Sequence, residues 1–187
     1  MKRVDCAYVR AAQCGQLQYA DVVRAIVKGL DVNPVDDHCS TALQRACQYG
    51  RIPQIQWLLA LGADVNECED VTCFPPLFET IFACQHESLR VLLEAGAEVD
   101  KLDSNHLSAI LYFHFCMWRN EACLDTILSC SNVVLSDTYK GKTVQQTAIV
   151  LDNRQFALRL AAEAACRSRW STLRALWVGA CSTGRTC

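Results

Sequence analysis

Apolar and polar positions fall in short helical blocks, interrupted at regular intervals by glycine. In the stretch Ser40–Cys68, STALQRACQYGRIPQIQWLLALGADVNEC, a helix opens at Thr41-Ala42-Leu43, and Ala46 and Cys47 continue its small apolar face. Gly50 breaks it, because glycine takes the positive φ that a helix C-cap wants. Pro53 suits the first turn of a second helix, where its missing N–H would be unbonded anyway. Ile55, Trp57, Leu58 and Leu59 form the apolar face of that helix, which stops at Gly62-Ala63-Asp64. Such a pair cannot bury both faces alone, so the pattern predicts further copies.

The copies are present. Leu43 matches Leu77 and then Ile110, at separations of 34 and 33 residues. Gly62-Ala63-Asp64-Val65-Asn66 returns as Gly96-Ala97-Glu98-Val99-Asp100, and Gly29-Leu30-Asp31-Val32-Asn33 is the same element upstream. Downstream, Asp137-x-x-x-Gly141-x-Thr143 has the form of the turn that opens such a unit. A period near 33 with two helices and a turn per unit predicts a solenoid.

These residues resemble the ankyrin-repeat family. Its pattern runs from a turn through Thr-Pro-Leu-His, an inner helix, a glycine and an outer helix ending Leu-Leu, to Gly-Ala-Asp-Val-Asn. Thr41-Ala42-Leu43-Gln44, Leu58-Leu59 and Gly62 to Asn66 match it, and so do Pro76-Leu77-Phe78, Leu92-Leu93 and Gly96 to Asp100. The resemblance implies an all-α solenoid of about five helix-turn-helix units with short β-turn fingers. The units fall at about 4–35, 36–68, 69–101, 102–135 and 136–166. The outer ones are looser: the fourth is extended around Trp118-Arg119-Asn120, and the fifth has Gln145 where leucine is expected. Terminal units face water on one side, so degeneracy is expected there. Residues 167–187 are expected to form a basic C-terminal helix and tail, with Trp170, Leu173, Leu176 and Trp177 on one face and Gly179 as its end.

Composition narrows the function. With 51% hydrophobic and 20% charged residues in 187, the chain has the make-up of a folded protein. The net charge of −2 announces neither a nucleic-acid nor a membrane partner. No acid follows Glu163 while four arginines do, which reads as a solvated end. Thirteen cysteines include no C-x-x-C pair, and Cys47, Cys84, Cys116 and Cys123 stand where a helix interior would want alanine or glycine. They read as small buried hydrophobes kept reduced in the cytoplasm, with the nucleus as a second location. Cys181 and Cys187 are the thiols expected to be exposed and oxidisable.

Catalytic chemistry has no footing in the sequence. His38, His86, His106 and His114 fall at four different repeat offsets, and no phosphate loop, nucleophile elbow or HExxH run occurs. Cys84-x-His86 and His114-x-Cys116 lack the ligand spacing of a zinc site. The expectation is no enzyme, no metal and no cofactor.

The resemblance implies partner binding instead, through turn tips and the concave face of the inner helices. Carried over position by position, the groove residues are Arg45, Gln48 and Tyr49, then Glu79, Phe82 and Ala83, then Tyr112, Phe115 and Cys116. Clustered exposed aromatics are the usual material of interface hot spots. The alternative for Phe82 and Phe115 is packing on each other or on a turn, as an extension of the core. Glu67, Glu69, Asp70, Asp100, Lys101, Asp103 and Asn105 give the turn tips a mainly acidic rim, which would steer a basic segment or simply remain a solvated edge. Leu59-x4-Asp64-Val65-Asn66 fits the pattern that an asparaginyl hydroxylase modifies in this family, making Asn66 a candidate; the same asparagine also serves the turn's hydrogen bonds. The expected function is a non-catalytic protein-interaction module or adaptor, a monomer on its own. The alternative is a regulatory or structural subunit that positions a larger assembly.

Overall fold

The computed structural model describes residues 6–29, 31–36, 38–67, 74–102, 107–117, 120–130, 138–150 and 153–182; the side chains of 6, 115–117, 139, 150 and 169–182 also lie outside the description. The chain divides into two compact units, Met1–Val134 and Leu135–Cys187.

Among the described residues, the first unit is a stack of four helix pairs: α1 (Cys6–Cys14) with α2 (Tyr19–Val27), α3 (Ala42–Gln48) with α4 (Ile52–Ala60), α5 (Pro76–Phe82) with α6 (His86–Glu94), and α7 (Ala109–Met117) with α8 (Glu121–Leu128). Inner helices α1, α3, α5 and α7 pack in sequence, and outer helices α2, α4, α6 and α8 form the second row. Leu43, Leu77 and Ile110, the residues that set the period, are all buried between inner helices. Ile55, Leu58, Leu89, Leu92 and Ile127 supply the inward faces of the outer row. Burying each such side chain contributes about 1.5–3 kcal/mol, and only the stacked neighbour makes that burial available.

Local chemistry sets the element ends. Thr41 Oγ1 accepts from the Gln44 N–H at 3.1 Å, while Gln44 Oε1 accepts from the Thr41 N–H, a complete capping box. Gln44 Nε2 then donates to the Phe74 carbonyl at 2.7 Å, tying the second pair to the third. Pro53 sits in the first turn of α4, as its missing N–H requires. Gly50 closes α3 at φ +65°, and Cys84 occupies the corresponding turn after α5 at φ +56°.

The second unit opens with a hairpin, β1 (Thr138–Tyr139) and β2 (Lys142–Thr143), pairing Thr138 with Thr143. Lys140 and Gly141 at its tip both have positive φ, the conformation that matches the twist of a two-residue hairpin. In α9 (Val144–Val150) the buried residues are Val144, Thr147 and Ala148, while Gln145 is exposed, so the missing leucine leaves no hole on the buried face. Helix α10 (Arg154–Ser182) packs on α9 through an apolar face of Phe156, Ala157 and Leu160. It runs without a break through residue 166, where a separate tail helix was expected, and past Gly179. The segment contains no proline and only that glycine. One glycine in a helix costs about 1 kcal/mol, too little to stop a run rich in alanine, leucine and arginine.

Candidate partner-binding groove

Helices α3 and α5 lie side by side and bring Arg45, Gln48, Tyr49, Glu79 and Phe82 onto neighbouring inner helices. Tyr49, at the C-cap of α3, is 44% exposed, and Phe82, the last residue of α5, is 50% exposed. The exposure of Phe82 decides against the core alternative for that ring. Phe115 lies in α7, but its side chain is outside the described residues, as is that of Cys116.

Tyr112 does not belong to this surface. It is 8% exposed and stacks edge-on against Phe74 and Phe78, at centroid distances of 5.3 and 5.1 Å. Phe74 and Phe78 are themselves 5.8 Å apart. The ring is turned inward because the finger residue Phe74 and the α5 residue Phe78 offer it an apolar slot. Tyr112 is therefore a core residue, a correction to the groove carried over from the family pattern.

Arg45 is already engaged. Its guanidinium pairs with Asp36 at 2.9 Å and donates to Gln48 Oε1 at 3.1 Å, so Arg45 and Gln48 form one anchored polar row. Burial would raise the Asp36 carboxyl, but the Ser40 N–H, Arg45 and the His38 N–H outweigh it and hold it below the usual range. Asp36 was not singled out from the sequence, although an aspartate shortly before a Ser-Thr helix start is a turn signal. Glu79 is different. Burial raises its carboxyl and Arg45 only partly offsets that, because Arg45 is committed to Asp36. Helices α3 and α5 thus place a carboxylate poor in water and in counter-charge near two exposed rings.

Of the acidic rim, Glu69, Asp70, Asp103 and Asn105 lie outside the described residues. Glu67 is raised by its partial burial, by Asp64 and by Asp31, against the pull of Lys101. Asn66 is built into the finger: its N–H donates to Asp64 Oδ1 at 2.8 Å and its Oδ1 accepts from the Glu98 N–H at 2.9 Å. Its carbonyl accepts from Lys101 Nζ at 2.9 Å. Asn33 makes the same bond one unit earlier, to the Asp64 N–H at 3.2 Å.

Of the cysteines expected to be buried, Cys47 and Cys123 are fully buried, whereas Cys84 is half-buried and lies in a turn instead of a helix interior. Cys187 and the Cys181 side chain fall outside the described residues. Among the described residues, no group of three histidine, cysteine or acidic side chains is placed to hold a metal ion. No described helix is long and apolar enough to cross a membrane.

Residues 10–59 match the family model for ankyrin repeats (many copies). The chain is 29% identical over 100 residues to the putative ankyrin repeat protein YahD of Escherichia coli, covering 54% of this chain and 48% of that protein. It is 32% identical over 89 residues to the glycerophosphocholine phosphodiesterase gde1 of Schizosaccharomyces pombe, covering 48% of this chain but 8% of that protein. The chain thus spans less than half the length of either relative, and the second likeness carries no activity with it. Residues 10–59 carry the family match and the helix pairs that follow continue it at the same period, so the chain contains ankyrin repeats.

Proposed function

We propose that the chain is a non-catalytic interaction module, and that Tyr49, Phe82 and Glu79, flanked by the anchored Arg45–Gln48 row, form its partner-binding groove. Ankyrin repeats generally mediate protein–protein interaction, and the family is typically non-catalytic. The observation that carries this reading is the exposure of two aromatic rings beside one under-compensated carboxylate. Large rings fixed on packed helices lose little freedom when a partner arrives, so their burial contributes to affinity with a small entropic cost. Glu79 favours a partner segment with a basic side chain, which would supply the counter-charge that Arg45 does not. Nucleic acid and membrane are not part of this reading, and the cytoplasm, with the nucleus beside it, is the proposed location.

The test compares binding by the wild-type chain with that of Tyr49→Ala/Phe82→Ala. A partner recovered by the wild type should bind the double variant at least about tenfold more weakly, with the melting profile unchanged. Equal binding by a folded double variant would reject the groove. Tyr112→Ala serves as the contrast: removing a buried ring should lower stability by about 3 kcal/mol, so any binding loss there tracks unfolding.

Asn66 is proposed as the residue that an asparaginyl hydroxylase would modify, on its sequence pattern and its half-buried place at the finger. A peptide containing Asn66 from hydroxylase-treated chain should be heavier by about 16 Da; an unchanged mass would reject the assignment.

A further inference from the structure

Two cysteines flank one asparagine at the junction between the third and fourth helix pairs, each bonded to its side-chain amide through the backbone. Cys84 closes the turn after α5 in the position held by Gly15 and Gly50 in the earlier pairs, all three at positive φ. A β-carbon at Gly15 would touch the Arg51 side chain at 3.3 Å, and one at Gly50 would collide with Gln85 Oε1. Arg51 and Gln85 are the N-cap residues of α4 and α6, the outer helices of the following pairs. For Cys84 the corresponding residue is Asn120, the N-cap of α8. Asn120 is one methylene shorter than the Gln85 that a β-carbon at Gly50 would meet. Its Nδ2 donates to the Cys84 carbonyl at 3.1 Å, and its Oδ1 accepts from the Cys123 N–H at 3.2 Å.

Repeat register places the second thiol. Cys123 stands in α8 where Gln54 stands in α4, three residues past the N-cap. Gln54 Nε2 reaches back to the Gly15 and Leu17 carbonyls at 3.0 and 3.2 Å, against the turn that Gly15 closes. The same register sets Cys123 against the turn that Cys84 closes. Burial, and then the nearness of Cys84, push the Cys123 thiol up to about 11. Cys84 is half-buried and open to a small oxidant, whereas Cys123 is wholly enclosed.

We propose that Cys84 and Cys123 are a thiol-oxidation site, a dithiol that hydrogen peroxide converts into a disulfide strapping the third helix pair to the fourth. The Cys84 thiolate attacks one peroxide oxygen; the O–O bond breaks, and the departing hydroxide takes up a proton to leave as water. Cys123 sulfur then attacks the sulfenic sulfur of Cys84. The S–S bond forms, the S–O bond breaks, and the Cys123 proton leaves with the hydroxide as a second water. Two thiols and one peroxide become one disulfide and two waters. The left-handed backbone that Cys84 accepts, where the neighbouring turns use glycine, is the local strain that accompanies a functional side chain. This site is independent of the partner groove.

The experiment treats the reduced full-length chain with hydrogen peroxide, blocks remaining thiols, and maps peptides without reduction. The expected product joins the Cys84 and Cys123 peptides, reverts on reduction, and is absent from Cys84→Ser and Cys123→Ala. Asn120→Gln keeps both thiols but fills the space beside Cys84, so it should lower the yield severalfold. Two results would overturn the proposal: Cys84 recovered free or as sulfinic acid without the cross-link in a normally folded chain, or either thiol joined to another cysteine in equal yield. Should Cys123→Ala fail to fold, Cys84→Ser and Asn120→Gln still decide the matter.

Discussion

At the residue scale, position in the repeat and burial in the fold are separate facts. Tyr49 and Tyr112 both occupy positions that the family pattern assigns to the groove, yet one ring is exposed and the other fills a slot between Phe74 and Phe78. Nothing local to Tyr112 forecasts this, because Phe74 comes from a different unit. Glu79 and Asp36 make the same point with charge. Both carboxyls lose water, but Asp36 receives two backbone N–H groups and a guanidinium, so only Glu79 is left raised. Between the ordinary carboxylate value and its raised folded value, Glu79 holds a proton in the folded state that the unfolded chain has released. Stability should therefore fall as pH rises through that window. Glu79→Gln should remove that fall, leaving a chain more stable than wild type above the window, measurable by urea unfolding across pH. Asp36 has the opposite sign: its stabilisation is present above the ordinary aspartate value and is lost as pH falls through its lowered one.

At the element scale, helix starts were legible because capping chemistry is local. Thr41 and Gln44 close their box within one turn, and Thr143 repeats it with Gln146: Thr143 Oγ1 accepts at 3.2 Å from the N–H of Gln146, whose Oε1 accepts at 2.9 Å from that of Thr143. Helix α3 has seven residues, too few to persist without help from its caps and neighbours. Thr41→Ala should cost about 1 kcal/mol, read as a lower urea midpoint with unchanged slope. Helix α10 continues past Gly179, the expected stop, for a physical reason. A glycine is a strong stop only when the chain must turn there, and Gly179 lies in a helix that continues to Ser182.

For the whole molecule, the stack makes each pair depend on its immediate neighbours. Leu92 is fully buried in α6, which packs between α4 and α8. Leu92→Ala should destabilise by about 2–5 kcal/mol and raise hydrogen exchange in α4, α6 and α8 before it does so in α1. The sequence by itself determined the period, the helix pairs, the turns and the residues that bury between them, because each is written in local chemistry repeated about every 33 residues. Tertiary structure alone decided which of the candidate surface positions stay exposed and which cysteines share the Asn120 amide. Those outcomes depend on side chains some 30 to 40 residues apart in sequence, such as Gln44 with Phe74 and Asn120 with Cys84, and they exist only once one unit lies against the next.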